Sequence, residues 1–267
     1  MTFCIDTHTH LHFEDFREDL DEVIERARQA GVAQIITLGT DLASSIASLE
    51  IAHKHPNIFS CAGIHPSDAH LAGEGDAQAI EKLIRDNRQI CAVGEIGLDF
   101  YWEKEHYEAQ YRVFGEMLRM ARRLEKPVVI HNRDAQREMI WFFQEEGFRE
   151  VRGVMHCFAG DLDDARFYLD MGLHISFTAN ITFPNFREEA LLKFIPADRL
   201  LLETDSPFIA PKNRPKRNEP GNVVQVGEKL AAVRGISYPE ICRITNANAQ
   251  RLFGLPAVSE ERIARSE

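Results

Sequence analysis

No stretch of the 267 residues comes near the roughly 20 consecutive apolar residues that a membrane-spanning helix needs. The chain opens directly in strand-like sequence, with no basic and apolar leader, so the expectation is a cytoplasmic protein that does not engage a membrane. Cysteine is scarce: the five thiols (Cys4, Cys61, Cys91, Cys157, Cys242) form no Cys-x-x-Cys pair. That argues against a zinc knuckle or a disulfide framework, and for reduced thiols packed in the interior. Positive charge is in deficit, with 31 Lys and Arg against 42 Asp and Glu and a net charge of −11. This balance argues against a general nucleic-acid coat, though not against an enzyme that meets phosphates inside a confined cleft. One segment runs against the trend, Lys212-Asn213-Arg214-Pro215-Lys216-Arg217, with four basic residues in six. A Gly-x-Gly-x-x-Gly turn after a strand is also missing, which speaks against a dinucleotide-binding sheet.

What is present is an alternation. Apolar runs at Phe3–Asp6, Gln34–Leu38, Ile58–Ala62, Ile90–Val93, Pro127–Ile130, Gly153–Met155, His174–Phe177 and Leu200–Leu202 read as strands. Amphipathic, charged stretches separate them, at Leu20–Ala30, Ala43–His53, Ala77–Asp86, Tyr107–Leu124, Ala135–Glu145 and Leu162–Met171, with a shorter one at Arg187–Phe194. Two further helices, Val223–Val233 and Tyr238–Leu252, follow the eighth strand. Eight strands alternating with helices predict an α/β fold, a closed (β/α)8 TIM barrel, which at roughly 250 residues is one domain. Residues 1–255 are assigned to the barrel and 256–267 to a polar tail.

Chemistry collects where the apolar runs stop. The first run leads into Asp6-Thr7-His8-Thr9-His10, where alternate residues of a strand share a face and both imidazoles can aim at one point. The third leads into His65, the fourth into Glu95 between two glycines, the fifth into His131 and Arg133, the sixth into His156, and the eighth into Glu203 and Asp205. Barrel enzymes place their working residues at the carboxyl ends of the strands, on one rim. Any one of these residues could be a core histidine or a turn acid, but the bland reading must then hold at six strand ends together. His53, His55, His70 and His106 fall in helices or polar loops and are given no role, and His12 lies beyond the strand. Cys157, next to His156, is read as packing.

Imidazole and carboxylate in this proportion point to divalent metal, and two ions use the residues better than one. A single tetrahedral zinc is satisfied by three protein ligands and a water, which leaves ligand-type residues idle. Glu95, between the two histidine groups, is the natural bridge, with His8, His10 and Asp205 on one ion and His131 and His156 on the other. A water shared by the ions would be acidified toward hydroxide, with Asp205 to orient it or take its proton. Zinc, manganese, cobalt, nickel and magnesium remain open as the native ion.

The motifs His8-Thr9-His10-Leu11, Gly63-Ile64-His65-Pro66, Val93-Gly94-Glu95-Ile96-Gly97-Leu98-Asp99, His131-Asn132-Arg133-Asp134, His156-Cys157-Phe158-Ala159-Gly160, Glu203-Thr204-Asp205-Ser206-Pro207 and Arg217-Asn218-Glu219-Pro220 together resemble the TatD family of metal-dependent deoxyribonucleases. The resemblance runs from the first strand to the closing helix at Asn246–Phe253. It implies a TIM barrel of the amidohydrolase superfamily and hydrolysis of ester bonds, typically phosphodiesters. It further implies that His8, His10, Glu95, His131, His156 and Asp205 are metal ligands. The catalytic work falls to Asp205, Glu95 and His65, and substrate contact to Arg133, Glu203 and Arg217. Family members have been assigned as 3′→5′ exonucleases on DNA, and some as deacylases of mischarged tRNA. Two positions depart from the family pattern: His12 stands where Asp or Asn is usual, and Pro215 follows Arg214 where glycine is usual.

The expectation is therefore a phosphodiesterase of the 3′→5′ exonuclease type acting on DNA, with Arg133, and beyond it Lys212, Arg214, Lys216 and Arg217, receiving substrate phosphates. A metal-dependent hydrolase of a carboxylic ester or amide, such as an aminoacyl-tRNA deacylase, is the alternative, since fold and metals do not dictate the substrate. A metal-holding protein without catalysis is the third reading. No oligomeric state is legible, and a monomer is the working expectation.

Overall fold

A computed structural model describes residues 2–102, 105–212 and 217–257. Eight parallel strands lie in sequence order: β1 (Cys4–Thr9), β2 (Val32–Leu38), β3 (Ile58–Ala62), β4 (Ile90–Asp99), β5 (Val128–Arg133), β6 (Gly153–Met155), β7 (His174–Phe177) and β8 (Leu200–Leu202). Helices α1 (Leu20–Gln29), α2 (Leu42–Lys54), α3 (Asp76–Asp86), α4 (Tyr107–Arg123), α5 (Gln136–Glu145), α6 (Leu162–Asp170) and α7 (Glu189–Phe194) connect them, and α8 (Val223–Arg234) and α9 (Tyr238–Phe253) follow. Between β8 and β1 the ladder continues past the assigned strand end. Asp205 N donates to His8 O at 2.9 Å and His10 N to Ser206 O at 2.7 Å, with a parallel bridge between Thr9 and Ser206. The chain is a (β/α)8 barrel.

The strands are buried on both faces, as in any sheet wrapped by helices, and this is why they read as unbroken apolar runs. Inside the barrel, Ile5, Ile36, Leu38, Cys61, Val129, Val154 and Leu201 form one cluster, which Leu252 and Phe253 at the end of α9 and Leu255 just past it complete. Asn246 and Asn248 on that helix donate to the carbonyls of Phe3 and of Ala197 and Leu200, fixing α9 to the strand starts. Ser237 caps its first turn, and Gly254, at φ 68°, ends it in the left-handed conformation that glycine adopts without strain. The apolar filling and α9 thus occupy the amino-terminal end of the barrel, and the carboxyl-terminal end is left to polar groups.

Three strands run further than their apolar content suggests. β1 continues through His8, β4 through Glu95 to Asp99, and β5 through His131 to Arg133. Polar side chains sit inside the sheet there because His8, Glu95 and His131 come from strand, whereas His10, His65, His156 and Asp205 follow just past strand ends. The five cysteines are free, four of them buried. No described helix is long and apolar enough to cross a membrane.

Candidate metal centre and active site

The backbone hydrogen bonds that close the barrel also set His8 and His10 across from Asp205. Their Nε2 atoms lie 3.1 Å apart, and they stand 3.6 and 3.5 Å from Asp205 Oδ1 and 3.3 and 3.4 Å from Glu95 Oε2. The other oxygen of Glu95 faces a second group. Oε1 is 2.8 Å from His131 Nδ1, 2.9 Å from His156 Nε2 and 3.6 Å from His65 Nε2, and the His131 and His156 nitrogens are 3.2 Å apart. The structure brings all six expected ligand residues together, with the two oxygens of Glu95 divided between two histidine groups. The rings of His8 and His156 stack at 4.0 Å, so the groups adjoin.

The remaining ring nitrogens show which atoms are left for the cavity. His10 Nδ1 lies 3.1 Å from the Leu38 carbonyl, and His131 Nε2 lies 2.9 Å from Asp99 Oδ2. When such a ring is neutral, donating one N–H in this way leaves an unprotonated nitrogen on its other side, the usual arrangement behind a metal ligand. Glu203 Oε1 stands 3.4 Å from His156 Nδ1. His65 is oriented the opposite way: its Nδ1 accepts from Ser67 N at 3.1 Å, so in the neutral ring the proton sits on Nε2 and points at Glu95. Burial pushes the His65 ring down to about 3, which keeps it neutral.

Four carboxyl groups are buried around the site. Asp6, Glu95, Asp99 and Glu203 are each at most 2% exposed, and no buried Lys or Arg accompanies them among the described residues. Buried carboxylates are costly unless paired, and the partners of Glu95 are imidazoles. Burial raises the Glu95 carboxyl, yet His156, His65 and His8 outweigh it and hold the group well below its ordinary range. Burial likewise works against charge on His10, but hydrogen bonds to Asp205 and Glu95 carry that ring up to about 9. Protons and a divalent ion would compete for the same nitrogens.

The residues present fit divalent metal. Ligand atoms about 2.0–2.1 Å from a tetrahedral ion stand about 3.3–3.4 Å from one another. The separations around His8, His10, Glu95 and Asp205 run from 3.1 to 3.6 Å. Three potential ligand groups overlap here: His8, His10 and Glu95; His8, His156 and Asp205; and His65, Glu95 and His131. With its Nδ1 accepting from Ser67 N, a neutral His65 presents an N–H rather than a lone pair to Glu95, while His131 and His156 bring nitrogens within 3 Å of the same oxygen.

These groups floor a cavity of about 420 Å³ whose walls include Phe13, Ser67, Asp99, Trp102, Arg133 and Phe208. Arg133 reaches its rim with the guanidinium 4.1 Å over the Tyr101 ring, and no carboxylate pairs with it among the described residues. Two expected substrate contacts are corrected. Glu203 faces away from the cavity, accepting from Cys157 N at 2.6 Å and Ser176 Oγ at 2.7 Å behind His156. Arg217 spends its donors on Asp19, Glu219 and the Asp15 carbonyl, tying the chain after β8 to the entrance of α1. Arg214, Pro215 and Lys216 lie outside the described residues. His12 contacts Ser48 and stacks on Phe13, outside all three potential ligand groups. Sequence reasoning quoted Asp99 in a motif but gave it no role. The signal was its spacing, four residues past Glu95 on the same strand face. Between them Gly97 is required: a Cβ there would meet the His131 carbonyl oxygen at 1.9 Å.

Comparison with known proteins agrees. The family model described as TatD related DNase matches residues 5–254. Uncharacterized metal-dependent hydrolase YabD of Bacillus subtilis (strain 168) is 39% identical over 250 residues, covering 93% of this chain and 98% of its own. The 3'-5' ssDNA/RNA exonuclease TatD of Edwardsiella piscicida is 36% identical over 259 residues, covering 94% and 99%. Among solved structures, YJJV, a TatD homolog from Escherichia coli k12, superposes with a TM-score of 0.89 at 28% identity, covering 95% of this chain and 98% of that one. The chain belongs to the TatD-related DNase family and is a metal-dependent hydrolase.

Proposed function

We propose that this hydrolase is a phosphodiesterase that trims single-stranded nucleic acid from the 3′ end, with two divalent ions held on either side of Glu95. The observation that carries the reading is Arg133: a guanidinium at the cavity rim, beside the ligand groups and unclaimed by any described carboxylate, suits an anionic substrate. The Edwardsiella piscicida relative, named for 3'-5' ssDNA/RNA exonuclease activity, supports it. His8, His10 and Asp205 would hold one ion and His131 and His156 the other, a donor set that suits zinc, manganese or cobalt. Such ions, when bound, supply Lewis acidity toward a phosphoryl oxygen and lower the pKa of water.

The chain's own groups do the rest. Arg133 grips the phosphate and orients it over the cavity floor. Asp205, whose carboxyl burial raises but His10 and His8 pull below its ordinary range, is a charged base at neutral pH and takes a proton from the attacking water. His65, neutral and with Nε2–H facing the cavity, donates to a phosphoryl oxygen as charge builds on it. The free thiols support a cytoplasmic location.

Purified protein loaded with manganese or zinc should release mononucleotides from a 5′-labelled single strand, and a chelator should stop the reaction. Hydrolysis of a carboxylic ester with no cleavage of the strand would replace this reading with the esterase one.

A further inference from the structure

Trp102 and Phe208 are 68% and 49% exposed, and both line the cavity that holds the ligand groups. They stand on different sides of it. Phe208 packs with Phe13 and His10, at ring separations of 5.5 and 6.0 Å, while Trp102 sits beside Tyr101 on the side of His131. Neither hangs loosely. Trp102 N donates to Asp99 Oδ1 at 2.9 Å, the carboxylate whose other oxygen holds His131, and Phe208 N donates to the Asp205 carbonyl at 2.8 Å. The backbone of each aromatic residue is thus hydrogen-bonded to a residue of the site itself. Arg133 lies 5.5 Å over the Trp102 ring, so the mouth interleaves a cation with aromatic faces.

Aromatic rings left largely exposed by their packing neighbours at the entrance of a hydrolytic cavity call for a planar apolar group on the substrate. Arg133 calls for an anion next to it. A nucleotide supplies both, and only a single strand or a frayed end offers unstacked base faces. We infer that the mouth is a nucleobase subsite in which Trp102 and Phe208 stack bases next to the phosphate held by Arg133. The inference rests on the phosphodiesterase reading and adds to it that the base, not the backbone alone, is gripped.

The test uses the full metal-loaded chain and two single-stranded oligonucleotides, one ordinary and one whose last two 3′ sugars carry no base. Stacking predicts a kcat/KM preference of roughly 5- to 100-fold for the base-bearing end. That preference should shrink toward unity in Trp102→Ala or Phe208→Ala and be largely retained in Trp102→Phe. Equal kcat/KM for the two ends in the unaltered protein, or a preference unchanged in both alanine variants, overturns the subsite while leaving the nuclease reading standing. Cleavage of neither strand alongside turnover of a carboxylic ester removes both.

Discussion

His131 gives its Nε2 proton to Asp99, whose Oδ2 lies 2.9 Å away, and this bond decides which nitrogen of the ring faces the cavity. The other oxygen of Asp99 receives the amides of Tyr101 and Trp102, so one buried carboxylate sets both the His131 ring and the rim of the mouth. In Asp99→Asn the amide oxygen can still receive those two N–H groups, but its NH₂ would oppose the His131 proton. Metal affinity should fall by roughly 10- to 100-fold with the fold retained. Titration of the metal-free variant against wild type checks this, and equal affinities would deny Asp99 the orienting role.

His65 separates a donor from a ligand. With its proton on Nε2, His65→Ala should keep the metal content of the wild type while kcat falls roughly 100-fold, the usual loss for one donor to a developing oxyanion. His65→Gln, which can present an N–H, should recover part of it. Loss of an ion from the alanine variant would show the ring to be a ligand instead.

Arg133→Ala should lower kcat/KM on a single-stranded oligonucleotide by roughly 100-fold, as expected for a charge-assisted contact of about 2–3 kcal/mol. An uncharged ester should hardly notice the change. Equal losses on both substrates would make Arg133 a structural residue that steadies Tyr101 and Trp102.

Away from the site, burial, with Arg199 adding to it, pushes His174 at the start of β7 down to about 4. The folded pKa lies below the unfolded value of about 6.5, so the unfolded chain takes up the proton first as pH falls. The stability that His174 contributes is complete above about pH 6.5 and is lost progressively between there and about pH 4. From pH 7.5 to 5.5 the wild type should lose about 1 kcal/mol more than His174→Gln in urea unfolding. Parallel pH dependences would show that His174 opens to solvent before it titrates.

The barrel and the residues that meet at its rim were legible because both follow from periodicity: strands buried on two faces give apolar runs, and the clustered histidines and acids stand where those runs stop. The same rule hid how far the strands go. β4 reaches Asp99 only because Glu95 and Asp99 are buried by the site, which hydropathy counts as the end of a strand. Side-chain direction was the other loss. Glu203 lies two residues before Asp205 yet turns behind His156. Arg217 belongs with Asp19, nearly 200 residues away, a pairing no local pattern could show.

The central claim is that Glu95 serves two ions at once. Anomalous diffraction from crystals of the zinc- or manganese-loaded protein, collected at the metal edge, tests it most directly. Two peaks should flank the Glu95 carboxylate, one against His8 and His10 and the other against His131 and His156. One peak with full occupancy, or two peaks neither of which contacts Glu95, would contradict the account.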